Sequence, residues 1–70
     1  MGFDFKSALQ NKLTSKEYNL ASPYIERAQD YYNADKDSAA REALLDAIAV
    51  CAAAGENNAA GKIQAYLKYC

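Results

Sequence analysis

The 70-residue chain contains no histidine and no tryptophan, one proline, three glycines and two cysteines. Without histidine, the commonest general base near neutral pH and the commonest metal ligand are missing. Small secreted domains built on disulfides use more than two cysteines, so we expect free thiols and a reducing, cytoplasmic location. A bridge between Cys51 and Cys70 is the alternative.

Long apolar runs and a strong charge of one sign are also missing. No run approaches the roughly 20 apolar residues that cross a bilayer, so we expect no membrane segment. The net charge of −1 does not favour a nucleic-acid partner. Asp35, Lys36 and Asp37 lack the glycine and closing glutamate of a calcium loop, and Cys51 has no adjacent base. We therefore predict no catalytic residue, no metal and no cofactor.

Helix patterns recur along the chain, and alternating β-branched runs do not. These patterns predict one all-α domain over residues 1–70, a small bundle of four or five helices. The first helix begins near Asp4 and carries Phe5, Leu9 and Leu13 on one face. A capping box formed by Thr14 and Glu17 then restarts a helix.

The single proline leaves two interpretations of the next helix. With Ser22 as N-cap, a new helix runs over residues 23–33, because proline suits a first helical turn. Alternatively, one long helix is kinked at Pro23. Asp35 or Asp37 would then cap a helix over residues 38–54, which forms a central antiparallel hairpin with its predecessor.

The last predicted helix follows Gly55, which we expect in the left-handed conformation that ends a helix. Asn57 or Asn58 would cap this helix, which runs to Lys68. Its inward side is expected to hold Ala59, Ile63, Tyr66 and Leu67.

The segment from Ala47 to Ala54 is uncharged and almost without bulk. One row of small or apolar residues repeats at a 4-3-4-3 spacing: Ala40, Leu44, Ala47, Cys51 and Ala54. A second row lies about 100° around the helix: Leu45, Ile48 and Ala52. Two such rows predict neighbouring helices on two flanks.

Residues 24–52 resemble one tetratricopeptide repeat, a helical hairpin with small and large residues in fixed order. The resemblance rests on six positions: Tyr24, Ala28, Tyr31, Ala40, Leu44 and Ala47. It departs from the family where Ala28 replaces the usual glycine, Ala52 the closing proline, and Asp35-Lys36 the Gly-Asp turn. It implies a hairpin whose faces flanking helices or another subunit must cover. A generic helical hairpin is the alternative.

Six tyrosines among 70 residues predict a contact surface. We predict that the chain binds a protein as an adaptor, inhibitor or assembly subunit, and that it can form a homo-oligomer. The predicted contact residues are Tyr24, Glu26, Arg27, Asp30, Tyr31 and Tyr32. The carboxylate pairs Glu26/Asp30 and Glu42/Asp46 are interpreted as solvated helix surfaces. The alternative function is an oligomeric binder of a small ligand or nucleotide, with tyrosines, Lys62 and Lys68 lining a pocket between subunits.

Overall fold

The computed structural model describes residues 3–70, which form four α-helices and no strand. The helices are α1 (Phe5–Lys12), α2 (Ser15–Asn33), α3 (Asp37–Ala53) and α4 (Asn57–Gln64), and a 3₁₀ turn, Leu67–Tyr69, follows. The predicted all-α bundle is confirmed.

Both predicted caps at the start of the chain are present. The Asp4 carboxylate accepts hydrogen bonds from the amide and the hydroxyl of Ser7 at 3.0 and 2.8 Å, and these bonds lower the pKa of Asp4. At the start of α2, the Glu17 amide donates to Thr14 Oγ1 at 3.2 Å. The Thr14 amide donates in return to Glu17 Oε1 at 2.9 Å, which completes the capping box. These reciprocal bonds satisfy amides that a helix start would otherwise leave unpaired.

The predicted helix start at Pro23 is wrong, because α2 continues through the proline from Ser15 to Asn33. Pro23 has no amide hydrogen, so the carbonyl of Asn19 loses its usual helical partner. The Ser22 hydroxyl lies 3.5 Å from that carbonyl oxygen and partly replaces the missing donor. Ala21 and Ile25 on either side of the proline are fully buried. Their packing holds the helix together across the weakened turn.

The connections after α2 and after α3 have the same hydrogen-bond pattern. In the first, the amides of Lys36 and Asp35 donate to the carbonyls of Tyr31 and Tyr32 at 2.8 and 3.1 Å. In the second, the corresponding pairs are Glu56–Cys51 at 2.8 Å and Gly55–Ala52 at 3.0 Å. Both are Schellman motifs. The left-handed residue is Asp35 (φ 61°) in one and Gly55 (φ 80°) in the other, which confirms the prediction for Gly55.

The caps predicted for α3 and α4 are wrong. The N-cap residues are Lys36 and Glu56, and neither makes a side-chain capping hydrogen bond. Asp35 ends the preceding helix in the left-handed conformation, and Asp37 is already the first residue of α3. Each six-residue Schellman motif therefore leads directly into the next helix, with no intervening capping residue.

The last helix is shorter than predicted. α4 ends at Gln64 rather than at Lys68, and the chain continues as the 3₁₀ turn. Tyr66 is nevertheless buried as expected, and Leu67 is half-buried.

The α2–α3 hairpin makes the largest contact in the molecule, and α1 and α4 pack on one side of it. α1 packs on α2, and α4 packs on α3. α1 and α4 also meet, because the Lys62 ammonium donates to the carbonyl of Lys12 at 2.9 Å. Helices at opposite faces of the hairpin could not touch, so both cover the same face. The largest fully buried side chains lie between these two helices and the hairpin: Phe5, Leu9, Ile25, Leu44, Cys51 and Ile63.

α3 has neighbouring helices on two sides, α2 and α4, as predicted, but the second predicted row is not buried between them. The first row is buried from Ala40 to Cys51, but Ala54 is exposed at the end of the helix. In the second row Leu45 is 43 % exposed, Ile48 is half-buried and Ala52 is exposed. α4 has only eight residues, so it covers this flank incompletely.

The two cysteines are both free thiols, and the alternative of a bridge is wrong for this structure. Cys70 lies close enough to Asp37 and Arg41, at the start of α3, for their charges to act on its thiol. Cys51 is near the other end of α3, roughly 20 Å further along the helix axis. A disulfide requires the two Cα atoms to be within about 7 Å.

Candidate interaction face on the α2–α3 hairpin

The face of the hairpin opposite α1 and α4 carries one row of side chains from each helix. The α2 row consists of Leu20, Tyr24, Arg27 and Tyr31, and the α3 row of Ala39, Ala43, Asp46 and Val50. Both rows follow the spacing i, i+4, i+7, i+11, which keeps residues on one side of a helix. We call these eight residues the open face.

A shallow groove runs between the two rows, with about 170 Å³ of accessible space. It is lined by Arg27, Tyr31, Ala39, Glu42, Ala43 and Asp46. Large side chains form its α2 wall and alanines form much of its α3 wall. This difference in size leaves a depression above α3 that another side chain can fill.

Charge on the groove is unevenly distributed. The guanidinium carbon of Arg27 lies 5.5 Å from the ring centroid of Tyr24, a cation–π contact that orients the arginine along α2. Glu42 and Asp46 are exposed one helical turn apart on α3. Among residues 3–70 the ion pairs are Lys6–Glu26 and Lys16–Glu56, so neither acid of the groove belongs to one. The α3 rim is therefore acidic.

The structure divides the six predicted contact residues between two sides of α2. Tyr24, Arg27 and Tyr31 lie on the open face. Glu26 faces α1 instead, where its carboxylate is 3.6 Å from the Lys6 ammonium, and Tyr32 packs edge-on against Phe5 with 4.9 Å between ring centroids. Asp30 is exposed and does not line the groove.

Sequence reasoning did not include the α3 half of this face. Glu42 and Asp46 were expected to be solvated, and Ala39 and Ala43 were not assigned to a surface. The 4-3-4 spacing from Ala39 to Val50 is the signal that could have identified it, since it repeats the spacing of the tyrosine row on α2.

An aromatic cluster of Phe3, Tyr66 and Tyr69 joins the two ends of the described chain. Phe3 stacks on Tyr69 with ring centroids 4.1 Å apart, and its centroid is 5.5 Å from that of Tyr66. Lys68 lies over the Tyr69 ring at 5.5 Å. Because Lys62 is also engaged, on the carbonyl of Lys12, the lysines of the alternative ligand pocket already have contacts within the chain.

Two larger depressions lie beside α1, with about 330 and 360 Å³ of accessible space. The lining of the first is uncharged: Gln10, Leu13, Thr14, Ser15, Tyr18 and Asn19. In the second, Gln29 bonds to the backbone of Phe3 and Phe5, Lys6 pairs with Glu26, and the Asp4 carboxylate is occupied by Ser7. The polar groups of the second depression are therefore already used within the chain.

Two titratable groups inside the described bundle are affected by burial. Burial raises the pKa of the Cys51 thiol, and it also raises the pKa of the Tyr18 hydroxyl, which has no hydrogen-bond partner in residues 3–70. Over that same range, histidine, cysteine and acidic side chains do not gather in a group of three or more that could hold a metal ion. None of the helices described is both long enough and apolar enough to cross a bilayer.

Comparison with protein-family models, with curated proteins and with solved structures finds no match to this chain. A function for the chain therefore has to be inferred from the geometry of the open face.

Proposed function

We propose that this protein is a non-catalytic binding module, an adaptor, inhibitor or assembly subunit, that holds a protein partner on the open face. One observation carries the proposal. The hairpin has two faces. α1 and α4 cover one, and the other presents two matched rows of side chains that none of the helices described in residues 3–70 covers.

The composition of the open face supports this proposal. Tyr24 and Tyr31 are half-buried, so a partner that covers their remaining surface gains apolar contact with little further ordering of the side chains. Aromatic residues and arginine are the types most often found at the energetic centre of protein interfaces. Tyr24, Arg27 and Tyr31 bring these types together on one row.

The size of the molecule limits the area of the interface. Its two largest extents are 31 and 20 Å, so one broad face measures roughly 600 Å² in projection. Specific complexes typically bury about 800 Å² on each partner. We therefore propose an interface at the small end of the range for specific complexes.

The tetratricopeptide-like interpretation of residues 24–52 belongs to this proposal. A single repeat needs cover on both faces, and here α1 and α4 would cover one while the partner covers the other. The proposal also places the protein in the cytoplasm, where its two free thiols stay reduced.

Capture from native lysate tests the proposal with two tyrosine variants of the full chain. Tyr31→Ala removes an aromatic residue from the open face, and Tyr69→Ala removes one from the aromatic cluster with Phe3 and Phe5, on the α1 side of the hairpin, where Tyr69 is 40 % exposed. We expect a partner retained by the wild type to be lost by Tyr31→Ala and kept by Tyr69→Ala. Thermal melts of both variants confirm folding. Equal retention by wild type and Tyr31→Ala would contradict the proposal.

A further inference from the structure

We infer that the occupant of the open face is an amphipathic α-helix with basic residues along one flank, which lies over the acidic rim formed by Glu42 and Asp46. This inference rests on the proposed function and names the class of partner at the same site.

The shape of the groove favours a helix. Its two walls are rows of side chains on two helices packed side by side, so the groove runs along the hairpin. A third helix laid along this groove packs its side chains between those of both walls, as neighbouring helices do in bundles.

The side chains of the groove indicate where the bulky residues of that helix go. Ala39 and Ala43 line the α3 wall, while Tyr24 and Tyr31 extend from α2. Because Ala43 is only 2 % exposed, large apolar residues of the partner pack over the half-buried Ala39 and against the Tyr31 ring. Small residues on one surface allow the axis of a second helix to approach closely.

The charges distinguish a basic helix from a second copy of this chain. Glu42 and Asp46 are exposed on the rim, separate from both ion pairs of residues 3–70. Arg27, the one cation in the groove lining, is held over Tyr24. A dimer formed through this face would bring four acids together, two from each copy, with only the two Arg27 side chains to offset them. Lysine or arginine residues one turn apart on a helix match the rim without such repulsion.

Two designed helical peptides, each about three heptads long, test the inference against the full chain. They share the same apolar positions, and one carries lysine and the other glutamate along the flank that faces α3. Fluorescence anisotropy measures their dissociation constants at low and at moderate salt. We expect the lysine peptide to bind about tenfold more tightly at low salt, with an advantage that shrinks as salt screens the charges.

A pair of matched double variants locates the effect. Glu42→Lys with Asp46→Lys reverses two acids one turn apart on the rim, and we expect it to make the glutamate peptide the tighter ligand. Glu26→Lys with Asp30→Lys makes the same change at the same spacing, away from the groove. This control is expected to keep the preference for the lysine peptide.

Each other outcome overturns the inference in a distinct way. If neither peptide binds but capture of a native partner is lost in Tyr31→Ala, the partner is not a helix of this class and the proposed function stands. If the control reverses the preference as strongly as the rim variant, the charges act at long range and the rim is not the site. If light scattering shows a dimer that Tyr31→Ala dissociates, the occupant is a second copy.

Discussion

Residues 31–36 and residues 51–56 close two helical hairpins that share α3, and they do so with the same pair of backbone hydrogen bonds. The first turn joins helices of 19 and 17 residues, whereas the second leads into α4, which has eight. The first places Asp35 in the left-handed conformation, and the second places Gly55 there.

The difference shows that extensive helix packing can compensate for a strained residue in a turn, whereas a short helix needs a turn without strain. An aspartate with positive φ is strained relative to glycine, but the contact between α2 and α3 is extensive enough to hold that turn closed. Eight residues are fewer than an isolated helix needs to be stable in water. The α3–α4 hairpin therefore depends more on an unstrained turn and on the buried face of α3.

The largest expected effect tests whether the buried face of α3 supports both hairpins. Leu44 is fully buried and Leu45 is 43 % exposed, so neighbouring leucines differ in environment alone. We expect Leu44→Ala to lower the free energy of unfolding by about 3 kcal/mol through lost burial and the cavity it leaves. Leu45→Ala should cost less than about 1 kcal/mol. Urea denaturation followed by circular dichroism measures both, and similar losses would show that the second flank of α3 is covered after all.

Alanine substitutions at Gly55 and Gly61 distinguish the effect of backbone strain in a turn from the effect of helix propensity. Gly55→Ala should lower the free energy of unfolding by about 1 kcal/mol, because an alanine Cβ is disfavoured at φ 80°. An added Cβ meets no atom within 4 Å at Gly55 or at Gly61, so neither change causes a clash. Gly61 lies within α4, and Gly61→Ala should raise the free energy of unfolding by up to about 1 kcal/mol. Thermal or urea melts that gave both variants the same sign would overturn this account of the second turn.

Local signals explain why most helix boundaries could be predicted from the sequence. Asp4, the Thr14–Glu17 capping box and Gly55 each act within a few residues of their own position, and all three predictions are confirmed. Pro23 also acts locally, but the burial of Ala21 and Ile25 against distant residues outweighs it. That packing is not visible in the local sequence.

The candidate site depends on the assembly of helices and was accordingly only half predicted. The tyrosine row of α2 is visible in the sequence, but the row it faces on α3 follows from which side α1 and α4 occupy. The same arrangement explains the error over Leu45, since the apolar spacing indicates that a second row is buried, and α4 is too short to cover that row. Apolar spacing defines faces of a helix and does not reveal what covers them.

Substitutions of Asp35 test whether the first turn is strained and is held closed by the packing of α2 against α3. Asp35→Gly relieves the left-handed strain but makes the unfolded chain more flexible, so we expect a net gain in unfolding free energy below about 1 kcal/mol. Asp35→Ala removes the side chain and keeps the strain, and it should lower the stability slightly, since aspartate tolerates this conformation better than alanine. Urea denaturation of the two variants decides the point. A marked loss in Asp35→Gly would mean that the carboxylate itself stabilises the turn.

The smallest expected effect on stability comes from Cys51, the first residue of the second turn, and it appears only at alkaline pH. Tyr31 is half-buried in the first turn, whereas Cys51 is fully buried in the second, and burial raises the pKa of its thiol above the usual value of 9.0. Well below pH 9, as at pH 7, the thiol is neutral in the folded and the unfolded chain, so its titration does not affect stability there. As the pH rises further, the unfolded chain releases this proton while the folded chain retains it, and stability falls until the folded pKa is passed. Urea melts at pH 7 and pH 10 should therefore show a larger alkaline loss for the wild type than for Cys51→Ala, and equal losses would mean that the thiol is accessible to water in the native state.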